Sequence, residues 1–294
     1  MSKLGFIGLG IMGKPMAGHL IKGGHTLYLY SRSGVPETLT KEGGIACASI
    51  KEVAEKAEII ITMVPDTPDV EKVIFGKDGL SEGLGKGKTV IDMSTISPDE
   101  TKVFASRLQK LGCDYVDAPV SGGEGGAIAA SLTIMVGADE AVFNKIKPIL
   151  ELMGKKVTLI GGNGAGQTCK LANNIISALN IEAAAEGLIF ASKAGLDPVV
   201  VLEALLGGSA YSRCLENHGE RMIKRNFAPG FRIELHQKDL NLALESARKM
   251  GVSLPNTALT QQLFNASAAL DGAKKDNSYI IAALEALANH KVGK

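Results

Sequence analysis

Three glycines spaced Gly8-x-Gly10-x-x-Gly13 separate an apolar run, Leu4 to Gly8, from a stretch with helical periodicity, Met12 to Lys22. A strand that turns through such a loop into a helix can cradle a pyrophosphate. Gly8 allows the tight turn, Gly10 leaves the phosphate oxygens bare backbone to approach, and Gly13 lets the helix pack close to the strand. The helix start adds free N–H groups and the positive end of its dipole. The segment Gly8, Leu9, Gly10, Ile11, Met12, Gly13 therefore reads as a dinucleotide loop. The following strand ends Tyr30-Ser31-Arg32-Ser33, without the acid that would bind the ribose 2′-hydroxyl of NAD. Arg32 can stack on adenine and pair with a 2′-phosphate, and Ser31 and Ser33 can donate to it. The expected cofactor is NADP, with NAD also usable.

A second set of polar residues lies further on. Lys170 falls near the start of a long helical pattern, just after Gly161-Gly-Asn-Gly-Ala-Gly166. Asn173 and Asn174 follow three and four residues later, so at least one shares the lysine's face. Ser121-Gly122-Gly123 follows a strand ending at Asp117 and offers a hydroxyl and open N–H groups, which suit a carboxylate. Taken alone, Lys170 reads as an exposed helix lysine and the Ser121 turn as an ordinary loop. Arg213, after Gly207-Gly208-Ser209, is either a second carboxylate contact or a surface arginine. The run from Gly161 to Gly166 fits no register of the dinucleotide spacing and reads as a turn between domains. The five histidines show no metal spacing, and no Gly-x-Ser-x-Gly elbow is present, so neither a metal nor a serine hydrolase is expected.

The elements that must position these residues change character once along the chain. Leu4 to Gly8, Thr26 to Tyr30, Ile59 to Val64, Thr89 to Met93, Asp114 to Asp117, Leu132 to Val136 and Val157 to Ile160 read as strands. Met12 to Lys22, Ser49 to Lys56 and Pro98 to Leu111 read as helices between them. After Gly164 only helical patterns follow: Gln167 to Ala194, Asp197 to Leu206, Tyr211 to Lys224, Leu235 to Met250, Ala258 to Leu270 and Tyr279 to Asn289. The first of these would span roughly 42 Å at ~1.5 Å per residue. The expected architecture is an α/β Rossmann-like doubly wound sheet over 1–163, joined by a long helix to an all-α domain over 164–294.

Composition fits that picture. The 294 residues are 45% hydrophobic and 21% charged with a net charge of +1, so no bulk field draws the chain to nucleic acid or membrane. The longest apolar run, Ile175 to Phe190, is broken by Asn180, Glu182 and Glu186 and reads as too polar to span a bilayer. With no signal-peptide pattern at its start, the chain is expected in the cytoplasm. Cys47, Cys113, Cys169 and Cys214 form neither a CxxC pair nor a zinc pattern and read as structural thiols.

The motifs together resemble the β-hydroxyacid dehydrogenase family. Phe6-Ile-Gly-Leu-Gly-Ile-Met-Gly13-Lys-Pro-Met16 is similar to its dinucleotide motif, Asp117-Ala-Pro-Val-Ser121-Gly-Gly123 to its substrate motif, Gly164-Ala-Gly-Gln-Thr-Cys-Lys170-Leu-Ala-Asn-Asn174 to its catalytic motif, and Lys238-Asp239-Leu240 to its late cofactor motif. They occur in family order over nearly the whole chain. Ser131 departs from an expected Gly, which bears on the local turn. The resemblance implies that Lys170 exchanges a proton with the carbonyl oxygen, its charged form disfavoured by a dry cleft. It also implies that Asn174 orients the lysine or binds substrate, and that Ser121, Gly122, Gly123 and Asn173 hold the substrate. Met63, Val64, Pro65, Thr95, Phe231 and Lys238 would join the cofactor side. Three stretches, Met63 to Pro68, His218 to Arg225 and Pro229 to Leu240, narrow the implied activity to nicotinamide-dependent reduction of a short carboxylated aldehyde, tartronate semialdehyde first. Glyoxylate, succinate semialdehyde and 3-hydroxyisobutyrate are the alternatives. A non-catalytic dinucleotide sensor on the same fold would lack the lysine. The many apolar helix faces imply a homo-oligomer, and the resemblance implies a tetramer.

Overall fold

The computed structural model describes residues 1–293. The chain divides into two compact units, one from Met1 to Lys170 and one from Leu171 onward. In the first, β1 (Lys3–Ile7), α1 (Gly13–Lys22), β2 (Thr26–Tyr30), α2 (Glu37–Lys41), β3 (Ile45–Ala46), α3 (Ile50–Lys56), β4 (Ile59–Thr62), α4 (Thr67–Phe75), β5 (Thr89–Asp92), α5 (Pro98–Lys110) and β6 (Asp114–Asp117) alternate strand and helix. Then come β7 (Val120–Ser121), α6 (Gly123–Ile128), β8 (Leu132–Gly137), α7 (Glu140–Leu150), β9 (Gly154–Gly161) and the first turns of α8 (Ala165–Lys193).

The sheet order is β3-β2-β1-β4-β5-β6-β8-β7, with β9 also on β8, and the strands from β3 to β6 are all parallel. The order reverses between β1 and β4, so the crevice beyond their carboxyl ends is the ligand position of a doubly wound sheet. Both faces are covered. Along β4, Ile59 and Ile61 join the core cluster holding Phe6, Met16 and Leu20, whereas Ile60 joins the opposite cluster holding Val53, Val70 and Phe104. This is the period of two of a strand buried on both sides. Helix starts are set by side-chain caps: Ser49 accepts from Glu52 N–H, Asp66 from Thr67 N–H, Ser97 from Glu100 N–H and Asp139 from Ala141 N–H.

Beyond Asp117 the chain does not leave the sheet. Asp117 pairs Gly137, Val120 pairs Ile134 and Ser121 pairs Thr133, one antiparallel register interrupted only by Ala118-Pro119. Ser121 is thus carried on a short continuation strand rather than on a free turn. The segment after it, to which the sequence pattern assigns no element, is the glycine-rich helix α6. The positive φ of the following turn falls on Ala130 (50°) rather than on Ser131, whose N–H closes onto Gly126 O at 2.9 Å. Helices α2, α4 and α7 and strands β3 and β7 also lie outside the sequence expectations, because they are short or lack a clean apolar period.

The second unit is helical, with the body of α8 followed by α9 (Pro198–Leu206), α10 (Arg213–Ile223), α11 (Ile233–Met250), α12 (Pro255–Ser267) and α13 (Ile281–Ala288). Its core gathers Ala178, Ile181, Ala185, Leu188, Leu202, Met222, Ile233, Leu240, Phe264 and Ile281. One expectation needs correcting here. By length and composition α8 would suffice to cross a membrane, despite Glu182 and Glu186. Ala178, Ile181, Ala185 and Leu188 instead take part in this core.

The start of α8 is fixed by Asp117 within the first unit. Its Oδ1 accepts from Gly164 N–H (2.8 Å) and its Oδ2 from Gln167 N–H (2.9 Å), which satisfies two N–H groups at the helix start. Burial raises the carboxyl to about 6, against the downward pull of those two hydrogen bonds. Between about pH 4, the ordinary aspartate value, and about 6 the folded protein holds a proton that the unfolded chain has released. The stability from that proton is fully present below about pH 4 and is lost as pH rises through about 6. Asp117→Asn removes the titration and one acceptor. The melting-temperature gap between wild type and Asp117→Asn should therefore narrow as pH is raised from about 4 to about 7. A gap that stays constant or widens overturns the assignment.

Candidate active site

The dinucleotide loop sits at the carboxyl end of β1. Gly8 has φ 96° and donates its N–H to Tyr30 O at 3.1 Å. A Cβ at Gly8 would run into the carbonyl oxygen of Met63, and one at Gly13 into that of Gly8. A Cβ at Gly10 would meet no protein atom within 4 Å, so the space over Gly10 is open. Met12 stands at the N-cap of α1 with no side-chain hydrogen bond, and the first turn carries no acid. A helix start left uncapped beside an open glycine backbone fits a pyrophosphate. Leu9 is buried in the core and Ile11 is exposed, so Leu9 can reach a cofactor only through its backbone.

The other loops named on the cofactor side leave the carboxyl ends of neighbouring strands. After β2, Ser31 and Ser33 place their hydroxyl oxygens 3.3 Å apart, and Gly34 N–H closes the turn on Ser31 O. Arg32 is exposed on that turn. After β4 come Met63, Val64 and Pro65, and after β5 comes Thr95. Beneath them lies a fully buried carboxylate that sequence reasoning missed. Asp92 accepts from Thr62 Oγ1 (2.9 Å), Ser94 N–H (3.1 Å) and the Tyr115 hydroxyl (3.2 Å). Ser94 Oγ in turn accepts from Val64 N–H at 3.0 Å. Burial pushes the Asp92 carboxyl up, and its hydrogen bonds with Ser94 and Thr62 oppose that. The sequence signal was an acid closing an otherwise apolar strand.

Ser121 is half-buried at the end of β7, and Gly122 and Gly123 are exposed after it. Gly122 has φ 138°, a conformation that disfavours any side chain. Lys170 is buried on α8, one turn beyond Gln167. Gln167 accepts from Ile96 N–H (3.1 Å) and donates to Ser94 O (2.8 Å), and Asn163 donates to Tyr115 O (2.7 Å). The helix turn that carries Lys170 is therefore tied to the loop after β5 and to β6. The dinucleotide loop, the Ser121 turn and Lys170 all belong to the first unit.

In the second unit a separate network surrounds Asn174. Asn174 donates to Asp239 Oδ2 (2.6 Å) and accepts from Asn173 Nδ2 (3.1 Å), and Lys238 Nζ lies 3.0 Å from Asp239 Oδ1. His236 donates from Nε2 to Asn174 O (3.3 Å) while its Nδ1 accepts from Asn277 (3.2 Å). The carbonyl partner fixes that tautomer. Phe231 stacks edge-on against His236 with ring centres 5.4 Å apart. Asp276 accepts from Gly230 and Phe231 N–H groups. Burial works against its charge, yet hydrogen bonds from Ser278, Phe231 and Gly230 hold it below the usual carboxylate range. Asn173, Asn174, Phe231 and Lys238 are thus brought together. Arg213 is exposed at the first residue of α10, and among the described residues no hydrogen bond or ion pair ties it to this cluster. Among the described residues no group of three or more His, Cys, Asp or Glu is placed to hold a metal ion.

Known proteins resemble the chain over nearly its whole length. Residues 3–161 match the NAD binding domain of 6-phosphogluconate dehydrogenase, and residues 164–284 match the NAD-binding model of NADP-dependent 3-hydroxyisobutyrate dehydrogenase. The chain is 59% identical over 290 residues to 2-hydroxy-3-oxopropionate reductase of Escherichia coli K12, covering 99% of each. It is 41% identical over 281 residues to 2-(hydroxymethyl)glutarate dehydrogenase of Eubacterium barkeri, covering 95% of this chain and 93% of that one. Among solved structures, 3-hydroxyisobutyrate dehydrogenase of Mycobacterium tuberculosis with L-serine superposes with a TM-score of 0.87 at 30% identity, covering 97% of this chain and 99% of that one. The open glycine cradle, the doubly wound strand order and these matches make the chain a nicotinamide-dinucleotide oxidoreductase, and it belongs to the β-hydroxyacid dehydrogenase family that includes 3-hydroxyisobutyrate dehydrogenase.

Proposed function

We propose that the protein reduces tartronate semialdehyde (2-hydroxy-3-oxopropionate) to D-glycerate with NADPH, accepting NADH as well. The observation that carries this reading is the 59% identity to the E. coli reductase across 99% of both chains. When bound, the reduced dinucleotide supplies a hydride for the carbonyl carbon. The chain supplies the proton and the grip. Lys170 Nζ gives a proton to the carbonyl oxygen as it becomes an alkoxide, and takes one back in the reverse direction. Ser121 Oγ and the N–H groups of Gly122 and Gly123 hold the substrate carboxylate. Asn174, one helical turn beyond Lys170, orients the reacting groups and is itself held by Asp239. Asn173 and Arg213 complete the substrate contacts, while Met63, Val64, Pro65, Thr95, Phe231 and Lys238 flank the cofactor.

In this reading residues 1–163 bind the dinucleotide and residues 164–294 serve substrate binding and oligomerisation. The exposed apolar side chains Ile176, Phe190, Val199 and Val200 support a homo-oligomer, taken as a tetramer working in the cytoplasm.

Four measurements decide the assignment. Steady-state rates with tartronate semialdehyde, glyoxylate, methylmalonate semialdehyde and succinate semialdehyde should give the highest kcat/KM for the first; a higher value for another moves the substrate assignment to it. Lys170→Ala should lower kcat by roughly 10²–10⁴-fold, the scale of general acid catalysis, with the dinucleotide still bound. Near-normal turnover would remove Lys170 from the proton path.

Cofactor choice is read from Arg32. Wild type should prefer NADPH by kcat/KM, and Arg32→Ala should lose that preference; a wild-type preference for NADH refutes it. Gly10→Ala should keep the melting temperature and weaken NADPH binding by about tenfold or more, about 1.4 kcal/mol. Gly13→Ala should lower the melting temperature as well, because its Cβ runs into the protein's own backbone. Equal effects of the two substitutions on stability would contradict the open space over Gly10.

A further inference from the structure

The helix that follows the Ser121 turn is a weak one. Its sequence, Gly-Glu-Gly-Gly-Ala-Ile, holds three glycines in six residues. Each glycine in a helix interior costs about 1 kcal/mol relative to alanine. The segment is also bounded by unusual backbone, with Gly122 at φ 138° and Gly123 at 60° on one side and Ala130 at 50° on the other. A non-glycine residue in that region is uncommon and is held there by its surroundings. The ties within the segment are local: Gly126 N–H to Gly122 O, Ala129 N–H to Gly125 O and Ser131 N–H to Gly126 O. Something outside must hold this helix if the turn before it is to keep one shape.

That tie comes from the dinucleotide helix. His19, in the last turn of α1, places Nε2 3.0 Å from both Ala127 O and Ile128 O, the carbonyls at the end of α6. Two carbonyl oxygens around one ring nitrogen can only accept, so Nε2 carries the hydrogen and donates to both. A donor at a helix carboxyl end answers carbonyls that have no partner within the helix and opposes the negative end of the dipole. Beside it, the Ala127 side chain is fully buried in the cluster that holds Met16, Ala17 and Leu20 of α1. The two helices thus meet through one apolar contact surface and one forked hydrogen bond.

We infer that His19 is a positioning residue for substrate: by fastening the end of α6 to α1 it sets the Ser121-Gly122-Gly123 turn that grips the carboxylate. The inference rests on the proposed role of that turn. His19 stands in the last turn of α1, at the opposite end from the dinucleotide loop. Its effect passes through α6, a single helical turn and a half, to the N–H groups at the other end. Because the dinucleotide loop opens the same α1, the substrate turn is referenced to the helix that holds the cofactor.

The test uses the full-length protein with NADPH and tartronate semialdehyde. His19→Ala should raise KM for the aldehyde about tenfold, about 1.4 kcal/mol, with kcat within about twofold and the Kd of NADPH unchanged. His19→Gln keeps an N–H donor at similar reach and should restore KM. His19→Phe keeps a ring without the donor and should behave like His19→Ala, which covers the case in which the alanine variant folds poorly. Wild-type KM in both donor-less variants, or failure of His19→Gln to restore it, overturns the inference. A fall in melting temperature with kcat lowered and both KM and the Kd of NADPH raised would mark a merely structural role and overturns it too. Ser121→Ala, measured alongside, separates the two levels: if it raises KM while His19→Ala does not, only the role of His19 falls. If neither changes KM, the reading of the turn falls as well.

Discussion

The pairing of the Asp117 carboxylate with the N–H groups of Gly164 and Gln167 is the constraint on which the rest of the site depends. Asp117 ends the last strand of the parallel array, and Gly164 and Gln167 open the helix that carries Lys170. One side chain therefore joins the two. It also occupies the place where β6 hands over to the continuation strand that bears Ser121. The bulk of the neighbours is set by the same contact: a Cβ at Gly137 would run into the Asp117 carboxylate, and one at Gly166 into the carbonyl oxygen of Met135. Two glycines are thus required by packing around one acid. Lys170 and Ser121 diverge in sequence by 49 residues yet are both referenced to Asp117.

A second buried carboxylate does comparable work one strand over. Asp92 gathers Thr62, Ser94 and Tyr115 under the loops that flank the strand-order reversal, and Ser94 passes the constraint to Val64 N–H. A half-satisfied polar group in this position would destabilise the sheet, but Asp92 has three donors in Thr62, Ser94 and Tyr115. Gln167 links the two systems, since its side chain bonds both Ser94 O and Ile96 N–H. The loops of the nucleotide crevice and the first turn of α8 are consequently parts of one hydrogen-bonded framework. Rigidity of this kind is what a hydride-transfer site needs, because small displacements of reacting groups are costly in rate.

Much of this was legible in the sequence, and the reasons are specific. The strand–glycine–helix order around Gly8 to Gly13 is a local pattern in which each residue type has one physical use, so position and purpose could be read together. The parallel strands β1, β2, β4, β5 and β6 were visible because strands buried on both faces are short, mostly apolar runs. The boundary at which strands give way to helices was visible for the same reason. By contrast, α6 is glycine-rich and β7 is two residues long, so neither carries a period to detect. Asp92, Asp117, Gln167 and His19 were not singled out as working residues because their importance lies in long-range partners. His19 meets carbonyls 108 and 109 residues away, and no spacing rule within one sequence connects them.

The glycine content of α6 states a conflict that the fold has to resolve. Exposed N–H groups free of Cβ atoms are what an anion requires, and they come from residues that weaken a helix and widen the unfolded ensemble. A stronger helix former at Gly122 would be strained at φ 138° and would press on Leu132 Cδ2, so stability cannot be recovered at that position. It has to be recovered at the far end, where Ala127 is buried and His19 donates to two carbonyls. The same division holds at the dinucleotide loop, where Gly10 faces open space while Gly8 and Gly13 are locked against backbone. In both places the chain leaves exposed backbone bare and fixes it from behind, so the geometry of main-chain groups open to a ligand is set by residues that stand away from them.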